Sequence, residues 1–236
     1  MQLYQKSKSY CGWGLTRFLQ TLITLSIILT GSTSVYAEPQ NLGLLKRELI
    51  TYHDSGRYQQ ELQDTINKAH HYLLQQALAN QQHKIHHKLA LILDIDETSL
   101  SNYNNLVSHD FSSDRKQIRQ YIRAATAPAI QPMLSLYNDA IAHGIKVFFV
   151  SGRGEVERDA TQKNLSKAGY SHWSGLYLRP NDYQQPSIVP FKSKARANIT
   201  AQGYTVIASI GDQYSDIKGG HAKKGFKLPN PFYYLP

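Results

Sequence analysis

The stretch Leu91-Ile92-Leu93-Asp94-Ile95-Asp96-Glu97-Thr98 sets an apolar run directly before two aspartates one residue apart, with a hydroxyl two residues further on. An apolar run without alternation reads as a strand buried on both faces, and open α/β sheets keep their ligands at the carboxyl ends of such strands. The stretch therefore asks for a core sheet with acids at one edge, and for neighbouring strands and helices to enclose it. Paired aspartates after a strand also cap helices or make turns. The pair alone does not establish chemistry.

Residues 1–37 of the 236 read as an export signal. Lys6, Lys8 and Arg17 precede an apolar segment over 18–29, broken by Gln20, Thr21, Thr24 and Ser26. Val35-Tyr36-Ala37 then supplies a small-residue cleavage site, with cleavage expected before Glu38. An uncleaved anchor is the alternative, but a span needs about 20 apolar residues. Cleavage leaves 199 residues and lowers the formal charge from +9 to +6, because three basic residues and no acid are removed. That length suits one domain, 38–236, with a real core. Cys11, the only cysteine, leaves with the signal, so no disulfide is expected and packing or a bound metal must hold the fold. A positive balance outside the cell favours anionic small molecules, polyanions or acidic surfaces, without choosing among them.

Along the mature chain, a short helix is expected over 42–52. Tyr58, Leu62, Ile66, Ala69, Leu73 and Ala77 recur at steps of four and three and describe one face of a long helix. His70, His71, His83, His86 and His87 crowd its far end; they read as a polar face or, if the segment is helical, as metal ligands, although no nearby Cys, Asp or Glu completes a usual set. After the strand at 89–94 comes a polar insertion, 99–128, with a helix near 113–124, placed to cover the carboxyl edge of the sheet. Ile130, Met133, Leu134, Tyr137 and Ile141 mark a further helix, stopped by His143-Gly144. A second buried strand over 145–150 ends in Ser151-Gly152-Arg153-Gly154, and a helix over 155–167 follows. A short strand at 176–178, a helix over 193–202 and a strand over 204–210 repeat the pattern, the last ending in Gly211-Asp212-Gln213-Tyr214-Ser215-Asp216. Alternation at these spacings argues for βαβ units and a parallel sheet. The aromatic, proline-stiffened tail at 228–234 is expected to pack on the body as an irregular segment.

Three strands thus finish in polar groups: Asp94 and Asp96, then Ser151, then Asp212 and Asp216. A parallel sheet brings all three ends to one edge. Four carboxylates gathered there repel one another unless a cation sits between them, and all-oxygen ligation points to Mg²⁺ rather than zinc. A hard cation among carboxylates, with a lysine and a hydroxyl donor nearby, suits phosphate. The lysine candidates are Lys192 and Lys194, in Pro190-Phe191-Lys192-Ser193-Lys194.

Asp94-Ile95-Asp96-Glu97-Thr98, Ser151-Gly152-Arg153, Lys192 and Gly211-Asp212-Gln213-Tyr214-Ser215-Asp216 resemble, in order, the four motifs of the haloacid dehalogenase (HAD) superfamily. Within it the chain resembles the secreted acid phosphatase branch that includes bacterial class B and class C-like phosphatases and plant vegetative storage proteins. The resemblance spans nearly all of 40–236, and four motifs in order on strand ends are far more specific than one D-x-D-x-T.

The resemblance implies a Rossmann-like, three-layer parallel sheet with a small, mainly helical cap, contributed by the N-terminal helices (38–87) and the insertion. It implies an exported Mg²⁺-dependent phosphomonoesterase with broad specificity and an acidic optimum, periplasmic or secreted. Its partner would be a small-molecule phosphomonoester, with no nucleic acid polymer and no membrane anchor after cleavage. Asp94 would be the nucleophile that forms an aspartyl-phosphate. Asp96 would be general acid and then general base, and crowding with other carboxylates is expected to raise its pKa. The cation would be held by the Asp94 carboxylate, the Asp96 backbone carbonyl and Asp212, with Asp216 as ligand or water-holder. Ser151 would bond a phosphoryl oxygen, and Lys192 would neutralise growing charge and steady Asp94. Thr98 is expected to hold the loop after the strand. Arg153 and Glu155 either pair with each other or contact substrate, and Asn102 and Tyr103 either touch the leaving group or sit exposed. The competing readings are a narrower 5'-nucleotidase, a non-catalytic storage or ligand-binding protein on the same fold, and metal capture by the histidine-rich helix end.

Overall fold

The apolar run forms β1 (Lys88–Leu93), the central strand of a five-stranded sheet in which every pairing is parallel. The others are β2 (Lys146–Gly154), β3 (Gly175–Arg179), β4 (Tyr204–Gly211) and β5 (Lys224–Lys227), in the order β3-β2-β1-β4-β5. The computed structural model describes residues 38–82, 86–112 and 114–236. The expected export signal, with Cys11, and His83 lie outside the described residues.

Burial on both faces explains the missing alternation in β1. Leu89, Leu91 and Leu93 join the larger core on one face, and Ala90 and Ile92 join the smaller core on the other. Period-2 geometry separates them, and both faces are covered because crossover helices flank a parallel sheet.

The helices are α1 (Leu42–Asp54), α2 (Arg57–Gln82), α3 (Tyr103–Ser108), α4 (Arg115–Ala124), α5 (Gln131–Ala142), α6 (Arg158–Lys167) and α7 (Val189–Ala201). Tyr58, Leu62, Ile66, Ala69, Leu73 and Ala77 are the buried face of α2, which packs against α5, β4 and β5. The long N-terminal helix is therefore a layer on the sheet, whereas α1 reaches the insertion. Helix α7 packs on β2 and β4, and its Ala195 and Ile199 fill the smaller core. On α5 the buried residues are Met133, Leu136, Tyr137 and Ala140; Leu134 and Ile141 are only partly buried, which rotates the face from that expected.

The insertion has a fastened neck. Leu100 bridges Ala129, Ser101 N–H donates to Pro128 O (2.9 Å) and Ile130 N–H donates to Ser99 O (3.0 Å). The Asn164 side chain of α6 bonds both backbone groups of Ala127, at 3.2 and 2.7 Å. From this neck the insertion rises at the carboxyl end of β1, and α4 lies against α6 and the 3₁₀ turn Glu155–Glu157 that follows β2. Helix α1 meets it through Lys46 with Asp110 and through His53 stacked on Tyr103, with ring centroids 3.3 Å apart. Asn41 caps α1 and Asp114 caps α4, each accepting two backbone N–H groups.

Strand β5 was not expected. Lys224-Gly225-Phe226-Lys227 carries no strand periodicity, and its conformation comes from pairing with the edge of β4, Ala208 with Lys224 through Gly211 with Lys227. The tail beyond it is irregular and buries Leu228 and Phe232. Among the described residues no helix is long and apolar enough to cross a membrane.

Candidate active site

Strand pairing continues to the first acid, since Asp94 N–H donates to Ile210 O (3.0 Å) and Asp94 is buried. Its carboxylate meets Lys192 Nζ at 2.7 Å, and the same ammonium bonds Asp216. Helix α7 begins at Val189, four residues earlier than the sequence suggests, with Pro190 at its start, where a missing N–H costs nothing. Lys192 therefore falls on the first turn facing the sheet and is 2 % exposed, while Lys194, two residues on, points to solvent. One turn further, buried Arg196 donates to the carbonyls of Asp216 (2.8 Å), Gly220 (2.8 Å) and Lys218. One face of α7 thus grips both the Asp216 carboxylate and the loop that carries it.

The end of β4 presents Asp212 and, after the 3₁₀ turn Tyr214–Asp216, Asp216. Gly211 makes this possible: a Cβ there would lie 2.2 Å from the Asp216 carboxyl carbon. Asp216 also accepts Gln213 N–H at 2.8 Å. Asp212 accepts the side-chain amides of Gln213 (2.8 Å) and Asn230 (2.5 Å), and Thr98 Oγ1 lies 3.4 Å away.

Asp94, Asp212 and Asp216 offer oxygens within 4.8 Å of one another, all buried, the one such potential metal-holding group among the described residues. Burial, then the charges of Asp216, Asp212 and Asp96, push Asp94 well above the usual carboxylate range against the pull of Lys192. Burial and Asp216 push Asp212 up to about 6, opposed by Asn230, Gln213 and Lys192. Burial disfavours the Lys192 ammonium, but Asp216 and Asp94 outweigh it and hold its pKa above the usual lysine value. Anionic crowding with a surplus of oxygen donors fits a hard divalent cation. Both Asp216 oxygens are engaged, by Lys192 and by Gln213 N–H, and Asp212 accepts two side-chain amides on one oxygen, whereas Asp94 meets Lys192 through one oxygen only.

Asp96 differs from the expectation. Its side chain is 28 % exposed and is not part of the buried trio, and Arg153 forks onto it with Nη2 at 2.7 Å and Nε at 3.1 Å. Burial acts upward most strongly, yet the Arg153 charge and hydrogen bonds, with Asn102, together hold Asp96 below the usual carboxylate range. The upward shift expected from crowding falls instead on Asp94 and Asp212. Of the two alternatives for Arg153 and Glu155, mutual pairing does not occur, because Arg153 turns inward to Asp96 and Thr161 while Glu155 pairs with Arg158. Strand β2 runs on to Gly154 with a register shift between Ser151 and Gly154, and this sets Arg153 N–H 3.2 Å from the buried Ser151 hydroxyl.

Glu97, Gln213, Asn230 and Tyr233 carry no role in the sequence reading, and Asn102 enters it only as a residue that could touch the leaving group. Asn102 donates to Asp96 (2.9 Å) and Glu97 (3.1 Å), and Tyr103, read as an exposed loop residue, is buried against His53 and Phe232. Burial and the charges of Asp212, Glu97, Asp96 and Asp94 push the Tyr233 phenol well above its ordinary pKa. The resemblance extends beyond the short motifs to the phrases Asp94 to Asn102 and Gly211 to Tyr233, so a signal for Asn102, Gln213, Asn230 and Tyr233 was present in the sequence, without a role attached to the last three. Among the described residues the histidines form no metal-holding group: His70 pairs with Asp139 at 3.0 Å, and His86 and His87 are exposed.

The fold and site together define a doubly wound α/β protein whose carboxyl edge holds a buried carboxylate–lysine cluster capable of binding a cation and an anionic group. The family model of the HAD superfamily, subfamily IIIB (acid phosphatase), matches residues 30–236, and the chain belongs to that family. It is 37 % identical over 158 residues to a stem 28 kDa glycoprotein of Glycine max, covering 64 % of this chain and 62 % of that one. It is 36 % identical over 148 residues to acid phosphatase 1 of Solanum lycopersicum (61 % and 58 % covered) and 30 % identical over 186 residues to vegetative storage protein 2 of Arabidopsis thaliana (77 % and 68 %). The chain thus spans about six tenths of the length of the soybean and tomato relatives. The class C acid phosphatase from Bacillus anthracis shares the fold, with a TM-score of 0.65 at 21 % identity over 81 % of this chain and 86 % of that one.

Proposed function

We propose that the chain is an exported, Mg²⁺-dependent acid phosphatase that hydrolyses phosphate monoesters through an aspartyl-phosphate on Asp94. The observation that carries this reading is the Lys192 ammonium 2.7 Å from Asp94 and bonded also to Asp216, with Asp212 completing the cluster. Family membership supports the same reaction class.

Asp94, Asp212 and the Asp96 carbonyl would hold the cation, with Asp216 fixing Lys192 and orienting bound water. When bound, the cation offsets the negative charge of nucleophile and phosphate so that the two can meet. The Asp94 carboxylate attacks phosphorus, the ester P–O bond breaks, and Asp96 gives its proton to the departing oxygen. In the second half Asp96 takes a proton from water as that water attacks phosphorus and frees Asp94. Arg153 keeps Asp96 ionised in the resting site, as the second half requires. The negative charge of an arriving phosphate raises the pKa of the neighbouring carboxyl, and acidic solution completes its protonation for the first half. Ser151 donates to a phosphoryl oxygen, and Lys192 balances the charge gathered on the transferring group.

Purified protein is expected to hydrolyse p-nitrophenyl phosphate, to lose activity in EDTA and regain it with Mg²⁺, and to be inactive as Asp94→Asn. Full activity of that variant would overturn the mechanism. Export is tested separately: the N-terminus of protein collected outside the cytoplasm is expected to begin at Glu38, and an intact Met1 terminus there would refute the signal assignment. A panel of sugar phosphates and nucleoside monophosphates separates the broad enzyme from a nucleotidase. The storage-protein names of two Arabidopsis relatives favour a non-catalytic second reading, but all the residues that carry the proposed chemistry are present here.

A further inference from the structure

Glu97 is a buried carboxyl for which the reaction above has no use. It follows Asp96, and its backbone lies in the left-handed region at φ 50°, which non-glycine residues seldom adopt and which clusters at functional sites. The side chain consequently turns back onto the start of the insertion. One oxygen accepts Asn102 N–H at 2.5 Å and the other accepts the Asn102 side-chain amide at 3.1 Å. The second hydrogen of that amide reaches Asp96 at 2.9 Å, on the oxygen that Arg153 Nη2 also contacts. Glu97 thus holds Asn102 at two points, and a third bond of Asn102 ends on Asp96.

We infer that Glu97, acting through Asn102, is a positioning residue for Asp96, and that this chain, with Arg153 on the opposite side, fixes where Asp96 delivers its proton. The inference rests on the phosphatase reading. Asp96 is partly exposed, and among the described residues its carboxylate has only Asn102 and Arg153 as hydrogen-bond donors, so without Asn102 the Arg153 fork alone would orient it. Because Asn102 is also the residue before α3, the same bonds tie the start of the insertion to the proton-transfer group.

The consequence is selective. An alkoxide leaving group needs a proton in the transition state and p-nitrophenolate does not, so a misplaced general acid costs rate on alkyl esters. The value of kcat/KM covers only the steps through formation of the aspartyl-phosphate. For Asn102→Ala it is expected to fall at least about 10-fold more on β-glycerophosphate than on p-nitrophenyl phosphate. Glu97→Gln is expected to show the same selectivity more weakly, and the double variant is expected to match Asn102→Ala within about 2-fold, since both changes break one chain. If Asn102→Ala does not fold, the near-isosteric Asn102→Leu carries the same expectation. Equal losses on the two esters, or losses that multiply in the double variant, would overturn the inference while wild-type activity leaves the phosphatase reading standing. Wild-type protein inert on both esters, or an active Asp94→Asn control, would overturn that reading and this inference with it.

Discussion

Lys192 carries a charge into a site from which water is excluded, and it does so because two carboxylates wait there. A buried ion pair loses its rationale when one partner is removed, since the other is left uncompensated. Lys192→Met is therefore expected to lower kcat by about 100-fold or more, the scale seen when one donor to a transition-state oxyanion is lost. Lys194→Ala, altering a side chain that points to solvent, is expected to keep wild-type kcat; steady-state assays of the two variants decide between the lysines. The sequence narrowed the choice to these two because each has the right chemistry at the right place in the motif. The family motif favours Lys192, and the start of α7 at Val189 puts Lys192 on the face toward the sheet and Lys194 on the exposed one. Arg153 shows the complementary case: its motif was legible, but its partner lies 57 positions away in sequence, and no local spacing reports a contact of that kind.

At the scale of elements, the site is a set of strand ends stapled by α7. The ammonium of Lys192 and the guanidinium of Arg196, one turn apart, hold the loop after β4, and Gly211 lets that loop fold back against the strand. Gly211→Ala is expected to displace Asp216, because the added Cβ would sit 2.2 Å from its carboxyl carbon. Overpacking of this kind costs about 1–3 kcal/mol, which for a domain of this size lowers Tm by about 2–12 °C. Calorimetry alongside assays should show reduced Tm and reduced Mg²⁺ affinity together; a variant with normal Mg²⁺ affinity would show that the Asp216 position does not depend on Gly211. The apolar face of α2 and the central strands were legible because burial imposes a period, 3.6 or an unbroken run, that the residues carry themselves. Strand β5 and the short α3 were not, since a four-residue edge strand and a six-residue helix owe their shape to neighbours.

For the whole molecule, the carboxyl edge concentrates acids that the fold itself strains. Asp212 is pushed up to about 6, so the folded state favours its protonated form more than the unfolded chain does. The stability this contributes is full below the ordinary carboxylate pKa and is lost as pH rises through about 6, on the order of 3 kcal/mol for this group. Asp94 shifts in the same direction, whereas Asp96 shifts oppositely, so the stability it contributes is present above the ordinary carboxylate pKa and is lost as pH falls below it. Metal-free protein is therefore expected to melt lower at pH 7.5 than at pH 5, and Mg²⁺ to restore Tm chiefly at pH 7.5, where the ligands are deprotonated. Melts with and without EDTA at the two pH values test this, and Asp212→Asn should weaken the dependence. By itself the sequence determined the parallel sheet and the strand ends that bring Asp94, Asp96, Ser151, Asp212 and Asp216 to one edge, because those follow from local periodicity and from motifs at strand ends. The tertiary structure alone decided which acids crowd together and which is drawn off by Arg153. Electrostatics depends on distances between residues remote in sequence, and only the folded chain sets them.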